Sequence, residues 1–179
     1  SPEHLSCYQL TIEPNTLFHK QPPNLPNDQL GWEIQEIVHN SLNRANYKQY
    51  EVSAWSKLGE ECRHNLNYWQ FGDYLGIGAG AHGKVSRPDG SIIRYWKHKQ
   101  PKRYLHSAHT NSRFGDRKII SEKELGFEFL LNALRLKVGF TPKLFEQRTG
   151  LSIDVLQPIL SEQIDKHWLT QTNSNIKCS

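Results

Sequence analysis

Gly76, Gly78, Gly80 and Gly83 fall within eight residues, and an ordinary helix does not run through such a stretch. The segment Gly78-Ala79-Gly80-Ala81-His82-Gly83 has the form G-x-G-x-x-G. A dinucleotide site of that form needs a helix directly after it. Here Lys84 to Asp89 contains Pro88 and a turn sequence, so no such helix follows. The same glycines read as G-x-x-x-x-G-K, but Val85 stands where a Ser or Thr would hold magnesium. What remains is a tight corner where a strand meets its neighbour, with backbone free to approach a bound group.

Just upstream lies Arg63-His64-Asn65-Leu66-Asn67-Tyr68-Trp69. A neutral imidazole is a good metal ligand, and Tyr68 and Trp69 supply ring faces and polar edges for a flat ligand. The residues alone equally allow His64 bonded to Asn65 or a loop carbonyl, with Tyr68 and Trp69 in the core. Cys62 reads as a buried free thiol. His98, His106 and His109 do not form a convincing metal pattern, and no Ser-His-Asp or zinc arrangement stands out.

Strand, helix and strand open the chain. Leu5 to Ile12 is short, apolar and β-rich, and Gln21 to Pro26 is a proline-rich connection. Leu30, Ile34, Ile37, Val38, Leu42 and Ala45 recur at helical steps behind a cap at Asn27 or Asp28. Tyr50 to Ala54 is a second strand, which makes a βαβ unit of a parallel sheet or barrel. Asp73 to Ile77 reads as a third strand. Arg87-Pro88-Asp89-Gly90 reads as the turn of a hairpin whose arms are Lys84–Ser86 and Ser91–Trp96. Lys97 to Arg117 is polar and irregular, with one helical turn near Arg103–His106.

Ser121 begins a helical region. Ser121 and Glu124 form a capping box, followed on one face by Leu125, Phe129, Leu130, Ala133 and Leu136 up to Gly139. Thr141 and Pro142 start a second helix that Gly150 ends. Ser152 caps a third, whose first turns Pro158 bends or shortens. With His167–Thr170 as the start of a wing, this is a helix-turn-helix pattern. The expected fold is α/β: residues 1–118 as the C-terminal portion of an incomplete β/α barrel with a connecting segment, and residues 119–179 as a small helical, winged-helix-like domain, cut short.

Charge narrows the function. Residues 84–118 carry ten Lys/Arg against Asp89 and Asp116, net +8, whereas residues 119–179 are neutral. A DNA reading of the helix-turn-helix pattern therefore lacks the cations its docking face needs. The basic middle would suit propionates, phosphates or nucleic acid, or be a solvated loop. Three widely spaced cysteines do not make a disulfide framework and point to a reducing cytoplasm. No 18-residue apolar run suggests a membrane span, and no signal peptide is recognisable.

His64-Asn65-Leu66-Asn67-Tyr68-Trp69 and Phe71-Gly72-Asp73-Tyr74-Leu75-Gly76-Ile77-Gly78-Ala79-Gly80-Ala81-His82-Gly83 resemble segments of one family. It is the HemW-type heme-chaperone branch of the oxygen-independent coproporphyrinogen III oxidase-like radical SAM proteins. Ser6–Thr16 and Gln49–Ala54 are similar too; after about Ser107 the match is to general pattern. The resemblance implies a heme site at His64, Asn65, Tyr68 and Trp69, with His64 on the iron. From the oxidase branch it implies Asn67, Gly78, Gly80 and His82 along a wall facing S-adenosylmethionine (SAM), although the spacing between the two motifs departs from the oxidase pattern. It also implies a [4Fe–4S] cluster and a protein that accepts the heme. The family's C-x3-C-x2-C cluster motif is absent: the cysteines are Cys7, Cys62 and Cys178. The chain is therefore expected to be a C-terminal piece that performs no radical chemistry alone. Two other functions stand beside the chaperone: an oxygen-independent coproporphyrinogen III oxidase, and a nucleic-acid module using residues 94–118. Whether the whole protein is an enzyme stays open, with oxidase activity not expected.

Overall fold

The computed structural model describes residues 1–179 except Ala108 and Asn173, and only the backbone of Asn111. The chain divides into two units, Ser1–Cys62 and Arg63–Ser179.

In the first unit, β1 (His4–Ser6), β2 (Lys48–Glu51) and β3 (Ala54–Ser56) form one sheet in the order β1-β3-β2. Both pairings are antiparallel. The expected βαβ unit is thus present in modified form: β1 and β2 point the same way, but β3 lies between them. The stretch read as one strand, Tyr50 to Ala54, turns at Val52-Ser53, where Glu51 Oε1 accepts a 3.0 Å bond from the Ser53 N–H. The expected strand from Leu5 to Ile12 is confined to its first residues: among the described residues only His4–Ser6 pair as a strand, with the Cys7 N–H bonded to the Ser53 carbonyl at 2.8 Å just beyond. Between the strands lie a single turn, α1 (Leu17–Lys20), and α2 (Asp28–Arg44). Asn27 caps α2 by accepting the Leu30 N–H at 2.9 Å. The apolar stripe of α2 is only partly covered, with Val38 and Leu42 half-buried. Gly31 is its one buried residue among the described residues, and Leu30, Ile34 and Ile37 are 45–65% exposed.

In the second unit, α3 (Arg63–Trp69) leads through the glycine segment into β4 (His82–Ser86) and β5 (Ile92–Lys97). The Arg87–Gly90 turn joins these strands as the sequence suggests, and Gly90 takes a φ of 84°. α4 (Pro101–Ser107) and β6 (Phe114–Ile119) follow, with β6 completing a β4-β5-β6 antiparallel sheet. Asp73 to Ile77 is not a strand; Tyr74 alone bridges to Lys84.

The remaining helices are α5 (Glu122–Ala133), α6 (Pro142–Thr149) and α7 (Gln157–Asp165), and the hairpin β7 (Leu169–Gln171) and β8 (Ile176–Cys178) closes the chain. The caps fall where the sequence puts them. Glu124 accepts from the N–H and hydroxyl of Ser121, and Thr141 accepts from Leu144. Gly150 ends α6 with a φ of 72°. Ser152 caps a 3-10 turn (Ile153–Leu156) rather than α7 itself, because Pro158 delays the regular helix. The core centres on Phe129, fully buried, with Phe71, Phe140 and Phe145 edge-on at 5.7, 5.0 and 5.1 Å. Phe71 and Ile92 share this core with residues beyond 119.

Candidate functional site

Helix α3 carries the aromatic motif. His64 is exposed in its first turn, and Tyr68 lies one turn on along the same face. Asn65 and Trp69 are offset from them and half-buried. The Tyr68 ring meets Trp69 edge-on at 4.9 Å and Tyr74 at 4.8 Å. The Arg135 guanidinium lies 4.3 Å from the Trp69 ring. The Trp69 Nε1–H is buried and has no hydrogen-bond acceptor among the described residues. Asn67 turns inward: its Nδ2 donates to the Asp73 carbonyl at 2.9 Å, and its side chain fills the space beside Gly72. Phe71 leaves the helix at a φ of 57°, which sends its ring into the core.

Behind the motif runs a polar network. Tyr74 OH accepts from Arg94 Nη1 at 3.4 Å, and Arg94 pairs with Glu128 at 2.5 Å. Burial, then the hydrogen bond shared with Tyr68, pushes the Tyr74 phenol up to about 12. Burial works most strongly against the Arg94 charge, but Glu128, Tyr74 and Tyr68 together outweigh it and hold the guanidinium above its ordinary pKa. Lys84, 2% exposed, reaches Asp73 at 3.2 Å and lies 4.2 Å from the Phe71 ring. Burial pulls the Lys84 pKa down, partly offset by Asp73. Burial also pushes the Asp73 carboxyl up, yet hydrogen bonds from the Ser86 N–H and hydroxyl, with Lys84, hold it below the usual range.

The glycine segment is a corner held by tyrosines. The Gly76 N–H donates to Tyr95 OH at 3.1 Å and the Gly78 N–H to Tyr104 OH at 3.2 Å. Gly80 donates to the His98 carbonyl at 2.9 Å. Gly78 and Gly80 need their φ values of 108° and 73°, and a side chain at Gly78 would still meet open space. His82 opens β4, exposed, its ring stacked at 6.0 Å on Trp96 across the strand pair. The motif residues therefore fall into two groups, one on α3 and one along the corner and β4. The Tyr68–Tyr74 contact and the Tyr74–Lys84 bridge connect them. Sequence reading missed Tyr74, Tyr95, Tyr104 and Arg94.

An exposed imidazole, two adjacent rings and a buried indole N–H without an acceptor fit an iron porphyrin approaching α3. An iron–sulfur cluster does not fit this chain: among the described residues no three His, Cys, Asp or Glu side chains converge, and the cysteines are free. No helix among the described residues is long and apolar enough to cross a membrane.

Residues 120–179 match the family model of the HemN C-terminal domain. The whole chain superposes on a solved structure described as coproporphyrinogen III oxidase (HemN) from Escherichia coli, a radical SAM enzyme, with a TM-score of 0.70 and 12% identity over 45% of that chain. The fold is thus of the HemN-like, mixed α/β kind.

Within that class the sequence is similar to proteins named heme chaperone HemW. It is 47% identical over 171 residues to "Heme chaperone HemW" of Escherichia coli (strain K12), covering 96% of this chain and 44% of that protein. It is 48% identical to the protein of the same name from Haemophilus influenzae, covering 92% and 41%. For that of Bacillus subtilis the values are 31%, 97% and 46%. The chain thus spans less than half the length of these relatives.

Proposed function

We propose that this chain is the heme-docking part of a HemW-type chaperone, with α3 as the docking element. The observation that carries the reading is the exposed His64 one turn before Tyr68, beside the buried, acceptor-free Trp69 N–H. His64 would ligate the iron of the heme, which is cargo here, while Tyr68 and Trp69 contact the ring face or edge. Asn65 would line the rim. Asn67, already closed onto Asp73, would hold the helix end rather than touch ligand. Gly78, Gly80 and His82 would form a wall turned toward SAM. The [4Fe–4S] cluster and the SAM on its open iron would come from sequence outside these 179 residues, which alone would carry no radical chemistry.

Residues 1–118 would then complete one side of a β/α barrel, and residues 119–179 would be an appended winged-helix-like domain. The protein would work in the cytoplasm and pass heme to an acceptor protein. The names of relatives at 47–48% identity favour a chaperone over an oxidase, since the oxidase structure is only 12% identical. Hemin titration of the full-length protein and of His64→Ala, followed by the Soret band, tests the site. We expect weaker binding and a shifted band in the variant; identical spectra and affinities would remove His64 from it.

A further inference from the structure

We propose that Lys97 and Arg113 form a carboxylate-binding site at the end of β5, which in the heme-docking reading takes a porphyrin propionate. The propionate assignment rests on that reading; the anion site does not.

Lys97 is 8% exposed as a residue, but its ammonium keeps access to the surface and makes no hydrogen bond or ion pair among the described residues. It sits instead 4.1 Å from the centre of the Phe114 ring and 5.2 Å from that of Tyr95. The Arg113 guanidinium lies 5.0 Å from the same Phe114 ring. Two cations thus lie by one aromatic ring, and no ion pair joins either to a carboxylate among the described residues. Ring faces attract cations but do not cancel the repulsion between two of them. Burial, with Arg113 adding to it, pulls the Lys97 pKa below its ordinary value. An anion held between the two would remove both penalties.

The surroundings suit a carboxylate on a flat ligand. The Lys97 N–H bonds the Ala81 carbonyl at 2.9 Å, so this site adjoins the glycine corner. Tyr95, which walls one side, also holds the Gly76 N–H. A groove of about 480 Å³ runs along Phe114 to Arg117. Its one carboxylate, Asp116, accepts from the Arg117 N–H at 2.7 Å.

The test compares protoporphyrin IX with its dimethyl ester, which keeps the ring and removes the charge. Binding of each to the full-length protein, to Lys97→Gln and to Arg113→Gln is followed by fluorescence. A charge-assisted contact corresponds to about a tenfold preference for the free acid. We expect that preference in the wild type and its loss in both variants, with ester affinity unchanged. A purely structural role for either residue would weaken acid and ester alike. Arg113→Gln, at a half-buried position, keeps the test valid if Lys97→Gln does not fold. Equal affinity of the wild type for acid and ester, or a preference that survives both substitutions, overturns the proposal. If neither porphyrin binds, the heme reading fails, and succinate decides the anion site through the methyl signal of reductively methylated Lys97. A shift that Arg113→Gln abolishes upholds it, and no shift sinks it.

Discussion

The Tyr95 ring lies across Gly83, its strand partner, so closely that a Cβ on Gly83 would fall 2.1 Å from the ring's Cζ. That placement carries the Tyr95 hydroxyl to the Gly76 N–H and so fixes the corner. Gly83→Ala must push the ring aside. Overpacking and the lost hydrogen bond together should cost about 2–4 kcal/mol. Urea denaturation measures it; a loss below half a unit of kcal/mol, roughly the level of an ordinary surface change, would mean the ring moves freely.

Asp73 and Lys84 form a pair with one buried member. Asp73→Ala leaves the Lys84 ammonium without its partner and should cost about 1–3 kcal/mol. Adding Lys84→Met keeps the packing on Phe71, removes the charge and should recover most of that loss. A double-mutant cycle with purely additive effects would contradict the coupling.

The capping box at Ser121 gives a pH dependence. Hydrogen bonds from Lys118, then Ser121, draw the Glu124 carboxyl from 4.5 down to about 2. An acid whose folded pKa is depressed stabilises fully above its unfolded pKa and loses that contribution as pH falls through the folded one. The difference in Tm between wild type and Glu124→Gln should therefore be constant above about pH 5 and shrink from there toward pH 2. A difference that stays flat across this window rules out the linkage.

Iron chemistry offers a fourth check. Cys7, Cys62 and Cys178 do not converge with other ligands among the described residues. Anaerobic reconstitution of residues 1–179 should yield no stoichiometric [4Fe–4S] cluster and no SAM cleavage. Iron and sulfide analysis reads it directly, and a full cluster would mean that this chain supplies the ligands.

The basic stretch separates ligand docking from nucleic-acid binding. Residues 84–118 carry net +8, but Lys84 and Lys97 are buried and Arg94 is paired with Glu128. A fluorescent 20-mer should bind weakly and lose affinity steeply as salt rises toward physiological levels. Submicromolar binding that persists there, and that charge reversal at Lys99, Lys102 and Arg103 abolishes, would favour a nucleic-acid module.

Elements with local punctuation were legible. The Ser121 box, Thr141-Pro142, Gly150 and the Arg87–Gly90 turn all act within a few residues, so sequence alone placed α5, α6 and the β4–β5 hairpin. β6 was not legible, because its residues Phe114 to Ile119 are almost all exposed and lack alternation. Its existence depends on a partner, β5, that local pattern does not report. The charge count of 84–118 read as surface, yet two of its lysines are buried through Asp73 and aromatic rings, which spacing cannot reveal. The stripe on α2 reads as an amphipathic face, but only Val38 and Leu42 of it are half-buried, while Leu30, Ile34 and Ile37 stay exposed. Of the site, the α3 motif was visible as residue types. The tyrosine hydroxyls that hold the glycine corner come from Tyr95 and Tyr104, too distant in sequence to be paired with it.

The order β1-β3-β2 also bears on how the first unit assembles. β2 and β3 meet across Val52-Ser53 and can zip together at once, whereas β1 must wait for α2 to be synthesised and folded past before His4 finds Ser56. Of the two edge strands, β1 is therefore the last to arrive and the first to leave. Amide exchange at His4–Ser6 should outpace that of Lys48–Glu51, and any trimming of the chain's beginning would free the β3 edge for another strand.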